Sequence, residues 1–348
     1  MLDRQTSEGF SPHFDTIALT IVVPALDEAR FIAQVLDGLL DQDLADDRYE
    51  ILVVDGGSCD TTRSIVRSRQ RGRVALSLLD NPRRRASAAR NVGLRAARGD
   101  AVLYVDGHCR IPSRTMLRHV VRAFADGAVC ISRPQPLLTS TASRCARAIA
   151  WTRSSMIGHL PGSHIYDAHE HFVSPTSAGC GYSMRLLRSI GGFDESFDAA
   201  EDVDLNHRFH QLGLRALHSD RFTVQYYARD TLRGLFRQML RYGIGRGRLW
   251  VKHPSALTVP AVAPGLLTSC FFLALGLTPL HGPSGLVVLL IGLAVAMTGS
   301  IAGLLAVRQI GPFSAFLVVP TILAILAGAG LGSIAGLASG VLRRLRVA

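Results

Sequence analysis

Lysine occurs once in the chain, at Lys252; every other base is an arginine, and from residue 257 onward there is neither aspartate nor glutamate. The only charged side chains in that last part are Arg308, Arg343, Arg344 and Arg346. A water-soluble domain does not leave so long a stretch without acids, so this part is read as lipid-facing. Cysteine is sparse and unpatterned: the six, at 59, 109, 130, 145, 180 and 270, form no Cys-x-x-Cys. That excludes a disulfide framework or a cysteine zinc site and suits reduced thiols on the cytosolic side. The N-terminus, MLDRQTSEGFSPHFD, has no apolar core, so a signal peptide is not expected and residues 1–15 read as a loose tail. A continuous basic face is missing too. Seven of the eleven net positive charges fall within residues 1–256, mixed with acids, which fits an anionic ligand or membrane surface and argues against nucleic acid.

What is present begins as alternating strands and helices. Residues 17–23 (IALTIVV) read as a buried parallel strand ended by Pro24, and a helix follows with Phe31, Ile32, Val35, Leu36, Leu39 and Leu40 on one face. Ile51 to Val54 is a second strand, and Asp60 is placed to cap the helix carrying Ile65 and Val66. Residues 74–79 are a third strand; ASAARNVGLRAARG is a helix that Gly99 should stop. After the strand Ala101–Val105, Pro112 should open a helix bearing Met116, Leu117, Val120, Val121 and Phe124, and 128–132 returns a strand. This order predicts an α/β domain with a mostly parallel sheet, its ligands at the carboxyl ends of the strands, where Asp27, Asp55 and Asp106 fall. A dinucleotide fold would need Gly-x-Gly-x-x-Gly after the first strand. The turn here is Pro24-Ala-Leu-Asp-Glu-Ala, so that class is excluded.

The chemistry concentrates at Asp106-Gly107-His108. A carboxylate and an imidazole at the end of a buried strand must be paired, solvated or bound to a cation, because burying a bare charge is costly. The reading is a divalent metal on a diphosphate; the plain alternative is an Asp-Gly turn. Residues 133–177 read as an irregular, solvated loop with His159, His164, His169 and His171; His169-Glu-His171 lacks an evident third ligand for a metal. In the block that follows, Glu201-Asp202 opens a helix with Leu205, Phe209 and Leu212 inward and Gly213 as its stop. A carboxylate there is held as the anion by the helix dipole, as a general base requires. Simple capping by Asp202 and Asp204 is the competing account.

Residues 222–227 return a strand, and 231–256 form a basic amphipathic helix with Arg233, Arg237, Arg241, Arg246 and Arg248, expected to lie in the membrane interface. Three apolar blocks follow, about 257–280, 286–307 and 313–341, each long enough for a bilayer core of ~30 Å. With residues 1–256 cytoplasmic, three spans would put the terminal arginines outside, against the positive-inside tendency. The Gly- and Ala-rich third block therefore leaves two or three spans open.

Taken together, VVPALDEA, VVDGGSCDTT, ARNVGLRAARGD, VDGH, GGFDESFDAAEDVDLNHR and Gln238-Met-Leu-Arg241-Tyr242 resemble the family 2 glycosyltransferases over about residues 18–250. The nearest branch is the membrane-bound one that builds bacterial exopolysaccharide, such as the succinoglycan glucosyltransferases of the ExoA type. The resemblance implies a GT-A domain over 16–230, then the interfacial helix and a transmembrane region over 257–348. It implies an inverting hexosyltransferase that takes a nucleoside-diphosphate sugar, a UDP-hexose in the simplest case. The acceptor would be a polyprenyl-diphosphate-linked saccharide at a bacterial inner membrane, with the catalytic domain facing the cytoplasm and several membrane passes. The Pro24, Ala25, Asp27, Glu28 turn and Asp55 should hold base and ribose, with Arg90 and Asn91 lining the donor pocket. Asp106 and His108 stand in the place of the metal-binding Asp-x-Asp, for Mn²⁺ or Mg²⁺. Asp202, with Glu201, matches the catalytic pair, and Gln238 and Arg241 the leaving-diphosphate motif, with Tyr242 where processive synthases have Trp. That departure implies one sugar added per visit. A catalytically silent scaffold retaining the same fold is the other reading.

Overall fold

A computed structural model of the chain describes residues 17–139, 143–155, 158, 164–165, 167–279 and 282–347; the expected tail at 1–15 and His159 lie outside the described residues. The strands are β1 Leu19–Ala25, β2 Tyr49–Asp55, β3 Ala75–Asp80, β4 Ala101–Tyr104, β5 Cys109–Arg110, β6 Cys130–Ser132, β7 Leu137–Leu138, β8 His171–Val173, β9 Gly179–Ser183, β10 Ala216–His218 and β11 Gln225–Tyr227. The helices are α1 Ile32–Leu40, α2 Thr62–Arg69, α3 Ala86–Ala96, α4 Met116–Ala125, α5 Arg144–Ser154, α6 Met184–Ser189, α7 Glu201–Gln211, α8 Leu232–Lys252, α9 Val259–Leu277, α10 Gly282–Ile310, α11 Pro312–Ala315 and α12 Val318–Val347. They divide into two compact units that interleave along the chain. The sheet unit takes residues up to Pro136, His164–Ser196 and Asp202–Tyr226; the helical unit takes Leu137–Ser163, Phe197–Glu201 and Tyr227 onward. The expected single boundary near residue 230 is thus replaced by one that crosses the chain five times.

The sheet unit is built on eight strands in the order β3-β2-β1-β4-β9-β6-β10-β8. Pairing is parallel along β3-β2-β1-β4 and between β6 and β10, whereas β9 and β8 run against their neighbours. Its central strands are apolar on both faces because helices cover both. Leu19, Ile21 and Val23 point into one core with Val35, Leu36 and Leu39 of α1 and Val120 of α4. Val22 and Val54 point into the other, with Leu94 of α3 and Leu205 and Phe209 of α7. Each fully buried Leu or Ile contributes roughly 1.5–3 kcal/mol. β1 runs on through Pro24 to Ala25, two residues further than its apolar run suggests.

Three expectations about the chain before residue 178 are corrected. Gly99 does not stop α3, which ends at Ala96 with Ala97 as its cap. A Cβ at Gly99 would stand 2.6 Å from the Thr20 amide nitrogen, and the Gly99 amide donates to Thr20 Oγ1 at 2.9 Å. Its smallness therefore serves strand approach. Pro112 does not open α4, which begins at Met116 after Thr115. The Leu117 amide is satisfied by Gln42 Oε1 at 3.0 Å, so a side chain from another segment fixes the start. The stretch 133–177 is not wholly irregular: it holds β7, α5 and the edge strand β8.

In the helical unit, two apolar segments are long enough to cross a membrane, Pro283–Ile310 and Pro312–Leu345. The first expected block, 257–280, folds as α9, interrupted by Pro264, with an apolar run of only Ala261–Leu277. α8 spans the expected basic helix, but it does not present a free apolar face. It lies against α12, the two backbones meeting at glycines. A Cβ at Gly243 would stand 2.8 Å from the Ser333 amide nitrogen, and one at Gly336 2.9 Å from the Ile244 carbonyl carbon. Gly328, Gly332, Gly336 and Gly340 recur every fourth residue, which keeps them on one stripe of α12. Arg248 Nε donates to Ser339 Oγ at 3.2 Å across the same contact.

Candidate active site

The carboxyl ends of β1, β2 and β4 carry the acids. After β1, Asp27 adopts a left-handed backbone (φ 53°) and its Oδ1 accepts the Cys59 amide at 2.7 Å. The Asp27 amide donates to Ser58 Oγ at 2.9 Å, the Glu28 amide to Thr62 Oγ1 at 2.8 Å and the Ala29 amide to Asp60 Oδ2 at 3.0 Å. Asp60 also accepts the Thr62 amide at 2.9 Å and so ties two turns into one rim, but the N-cap position of α2 is Thr61, one residue later than expected. Asp55, wholly buried at the end of β2, accepts the Gly57 and Ser58 amides at 3.0 and 3.1 Å and Arg63 Nη1 at 2.8 Å. Burial pushes its carboxyl up, but the hydrogen bonds from Ser58, Arg63 and the amides outweigh that and hold it below its ordinary value.

The turn after β4 carries the expected pair, Asp106 and His108. His108 Nδ1 lies 3.0 Å from Glu28 Oε1, so with Glu28 ionised Nδ1 carries the proton and Nε2 the lone pair. That is the arrangement that orients a metal-binding imidazole. Asp106 Oδ1 accepts Arg90 Nη2 at 3.3 Å, and its carboxylate also accepts the Tyr226 hydroxyl; lone pairs that these bonds do not use would be the second donor. Burial raises the Asp106 carboxyl, yet Arg90, His108 and Arg133, with a hydrogen bond from Tyr226, bring it below its ordinary value. An ionised oxygen and an oriented imidazole nitrogen two residues apart fit a divalent cation of the Mn²⁺ class.

Arg133, just past β6, was not expected. It is buried to 1 % exposure; its Nη2 reaches the Tyr104 carbonyl at 2.9 Å and Tyr226 Oη at 3.3 Å. Its Nε and Nη1 find no hydrogen-bond partner among the described residues. Tyr226 is positioned by β11, which pairs antiparallel with β5 through Cys109. The only sequence signal for Arg133 is an arginine closing the apolar run AVCIS.

Asn91 faces elsewhere. Its amide nitrogen donates to the Phe193 carbonyl at 2.8 Å and to Glu195 Oε1 at 2.9 Å, and its oxygen accepts the Phe193 amide at 2.9 Å. It clamps the Gly-Gly-Phe-Asp turn, whose Phe193 ring lies under the Arg90 guanidinium at 5.5 Å. Tyr104 meets Phe193 at 5.0 Å and Tyr182 at 6.2 Å between ring centroids. Burial pushes the Tyr182 hydroxyl well above its ordinary value, and the opposed charges of Asp202 and Arg90 both act on it. Arg90 therefore links the Asp106 turn to the Gly-Gly-Phe-Asp turn. Asp202 is exposed at the start of α7, its Oδ1 accepting the Val203 amide at 2.9 Å. Asp204 differs: wholly buried, it pairs with Arg208 Nε at 3.1 Å and is structural. Glu201 is 6 % exposed. In the helical unit Gln238 Nε2 donates to Tyr242 Oη at 3.1 Å, and Arg241 Nη2 to the Asp198 carbonyl at 3.4 Å.

Residues 20–186 match the family model described as Glycosyl transferase family 2, and residues 139–326 the one described as Glycosyl transferase family group 2. The chain is 32 % identical over 237 residues to the succinoglycan biosynthesis protein ExoA of Rhizobium meliloti, covering 67 % of this chain and 70 % of that one. It is 23 % identical over 238 residues, 66 % of this chain and 73 % of the relative, to a dolichyl N-acetyl-alpha-D-glucosaminyl phosphate 3-beta-D-2,3-diacetamido-2,3-dideoxy-beta-D-glucuronosyltransferase of Methanococcus voltae. Among solved structures, the mannosyltransferase PcManGT from Pyrobaculum calidifontis, in complex with GDP-Man and Mn²⁺, superposes with a TM-score of 0.55 at 21 % identity, over 96 % of this chain and 89 % of that one. The fold is GT-A, and the chain belongs to glycosyltransferase family 2.

Proposed function

We propose that this glycosyltransferase inverts configuration at the anomeric carbon of a nucleoside-diphosphate hexose, a UDP-hexose in the first instance, and depends on a divalent cation. The acceptor is a polyprenyl-diphosphate-linked saccharide at a bacterial inner membrane, with the catalytic unit cytoplasmic and the apolar helices as a multi-pass anchor. The observation that carries this reading is the set of contacts that joins Glu28 to His108 and Arg90 to Asp106 at the carboxyl end of β4, with Asp202 exposed at the start of α7.

Asp202 takes the proton of the acceptor hydroxyl as that oxygen bonds to the anomeric carbon, on the face opposite the diphosphate. The bond from that carbon to the diphosphate oxygen breaks with its electron pair. Asp106 and His108 would hold the divalent cation, which when bound would supply Lewis-acid stabilisation to the departing diphosphate. Arg90 holds the Asp106 carboxylate in place, and Arg133 adds positive charge close by. Pro24, Ala25, Asp27 and Glu28 form the base-and-ribose rim; Asp55 and Asn91 support it by bracing the turns around them. Buried Glu201 positions Asp202, while Gln238 and Arg241 are assigned to the diphosphate by the family motif alone. Relatives named for succinoglycan biosynthesis and for a dolichyl-phosphate-linked saccharide support the acceptor class.

The test is sugar transfer in detergent from a panel of nucleotide sugars to a lipid extract, with and without Mn²⁺. Asp202→Asn should lower turnover by ~10³-fold and leave nucleotide affinity nearly unchanged. Wild-type turnover in that variant, or a product of retained anomeric configuration, overturns the proposal.

A further inference from the structure

We propose that His164, Asp167 and His171 form a second cation site, of the Zn²⁺ class, on the sheet unit and away from the catalytic turn. The three offer donor atoms that all lie within 4.8 Å of one another. Asp167 Oδ2 is 3.3 Å from His164 Nδ1 and 3.6 Å from His171 Nε2. Two ligands bound at about 2.0–2.2 Å in a tetrahedral shell stand roughly 3.4 Å apart, a separation that the His164–Asp167 hydrogen bond and the Asp167–His171 approach bracket, so an ion could replace the bridging proton with little movement. β8, which carries His171, is the edge strand, and three strands separate it from β4 and the Asp106 turn.

The orientation of the donors argues further than their distance. His171 Nδ1 is 2.9 Å from the His169 carbonyl oxygen, which can only accept, so the proton is on Nδ1. Its other ring nitrogen, Nε2, then faces Asp167 Oδ2 at 3.6 Å, where a cation could sit between them. Asp167 is aimed too: its Oδ1 accepts the His169 amide at 3.1 Å, which turns Oδ2 towards the imidazoles. His169 thus contributes through its backbone, which is why the pair His169-Glu-His171 shows no third ligand while the His164–Asp167–His171 set supplies one.

Behind the set, His218 is fully buried and spent on support. Its Nε2 donates to the Asp167 carbonyl at 3.1 Å, and its Nδ1 accepts Ser132 Oγ at 2.9 Å. His218 pairs in register with His171 across β10 and β8, so the ligand carbonyl and the ligand strand are fixed to the same residue. Such outer partners are what a built metal site has. Two imidazoles and one carboxylate favour Zn²⁺ over Mg²⁺ or Ca²⁺, whose sites are all oxygen. The side chains are 28–38 % exposed, open enough for an ion to enter and to keep a water as fourth ligand. The bound ion would clip the segment before β8 onto the edge of the sheet, protecting an edge of only three residues.

The experiment is titration of Zn²⁺ alone into the metal-stripped full chain in detergent, followed by calorimetry and by the visible spectrum of the Co²⁺-substituted protein. Asp106→Asn should keep one tight equivalent with a tetrahedral Co²⁺ spectrum. Adding His171→Ala, or separately the more exposed His164→Ala, should weaken that equivalent by ~100-fold or more. Zn²⁺ should raise the thermal midpoint of Asp106→Asn and leave the double variants unmoved. A wild type that binds no tight Zn²⁺, or variants that bind it as Asp106→Asn does, overturns the assignment; circular dichroism of the His164→Ala protein separates lost ligation from lost fold.

Discussion

The sheet unit and the helical unit solve specificity by opposite means. In the sheet unit, position is set by polar side chains with named partners: Glu50 accepts the Arg98 amide at 2.8 Å and Thr20 Oγ1 at 2.7 Å, and Asp204 binds Arg208. In the helical unit, α8 and α12 are set by side chains that are missing, glycine backbone against glycine backbone. The difference follows from what each sequence has to work with. From residue 257 on there are no acids, so no ion pair can fix a register there, and close van der Waals approach is what remains. The contact also bears on the membrane. Arg248 donates to Ser339 and its Cα would stand 3.6 Å from a Cβ at Gly340, so a charged side chain lies against the last turns of the candidate span.

The comparison breaks most sharply at Asp204. Replacing it with alanine leaves Arg208 and a buried hole without the charge they were built around, at a cost of about 3–5 kcal/mol. Denaturant unfolding of the purified protein should show this as a lower midpoint, and an unchanged midpoint would mean that the pair adds nothing. The matching change in the helical unit is Gly336→Val. A Cβ there already overlaps the Ile244 backbone, so α8 and α12 must separate, costing roughly 1–3 kcal/mol or more. Proteolysis in detergent should cut the α8–α9 connection of this variant sooner than that of a Gly276→Val control, where a Cβ meets nothing within 4 Å.

What could be read from the sequence divides along the same line. Parallel strands bracketed by turn acids announce themselves by period and punctuation, so β1 to β4 and the Asp55, Asp106 and Asp202 positions were legible. α5 was not: Arg144–Ser154 buries Ala146, Ala148, Ile149 and Ala150, small residues that give little periodic signal. Arg133 sat at the edge of a segment read as loop. The glycines of α12 were visible as composition, but a stripe of small residues has meaning only against the helix that it meets. His164, Asp167 and His171 lie in a stretch without periodicity, where spacing alone does not say which donors converge. Among the family-implied residues, Asn91 shows how a motif position can brace a turn: both ends of its amide are taken by 193–195.

A finer test concerns Glu28, which belongs to the sheet unit's scheme of one partner per polar group. Glu28→Gln removes the charge that fixes the His108 tautomer while keeping the shape. The concentration of Mn²⁺ giving half-maximal transfer should rise by about 10–100-fold, with turnover at saturating metal falling much less. Equal loss at all metal concentrations would make Glu28 a donor-sugar contact instead.

The smallest effect expected is in the acid limb of stability. Asp55 is ionised more readily in the folded chain than in the unfolded one, because Ser58, Arg63 and two amides reward the charge. Its contribution is therefore complete above the unfolded value, near pH 4, and is lost as pH falls through the lower folded value. Asp55→Asn cannot titrate. At pH 6 it should be the less stable protein, and the gap to wild type should close as pH drops below about 4, because only wild type loses stability at this site. Unfolding midpoints measured from pH 6 downward would read this directly. A gap that stayed constant would mean that Asp55 holds its turn by shape alone, as the helical unit does with its glycines.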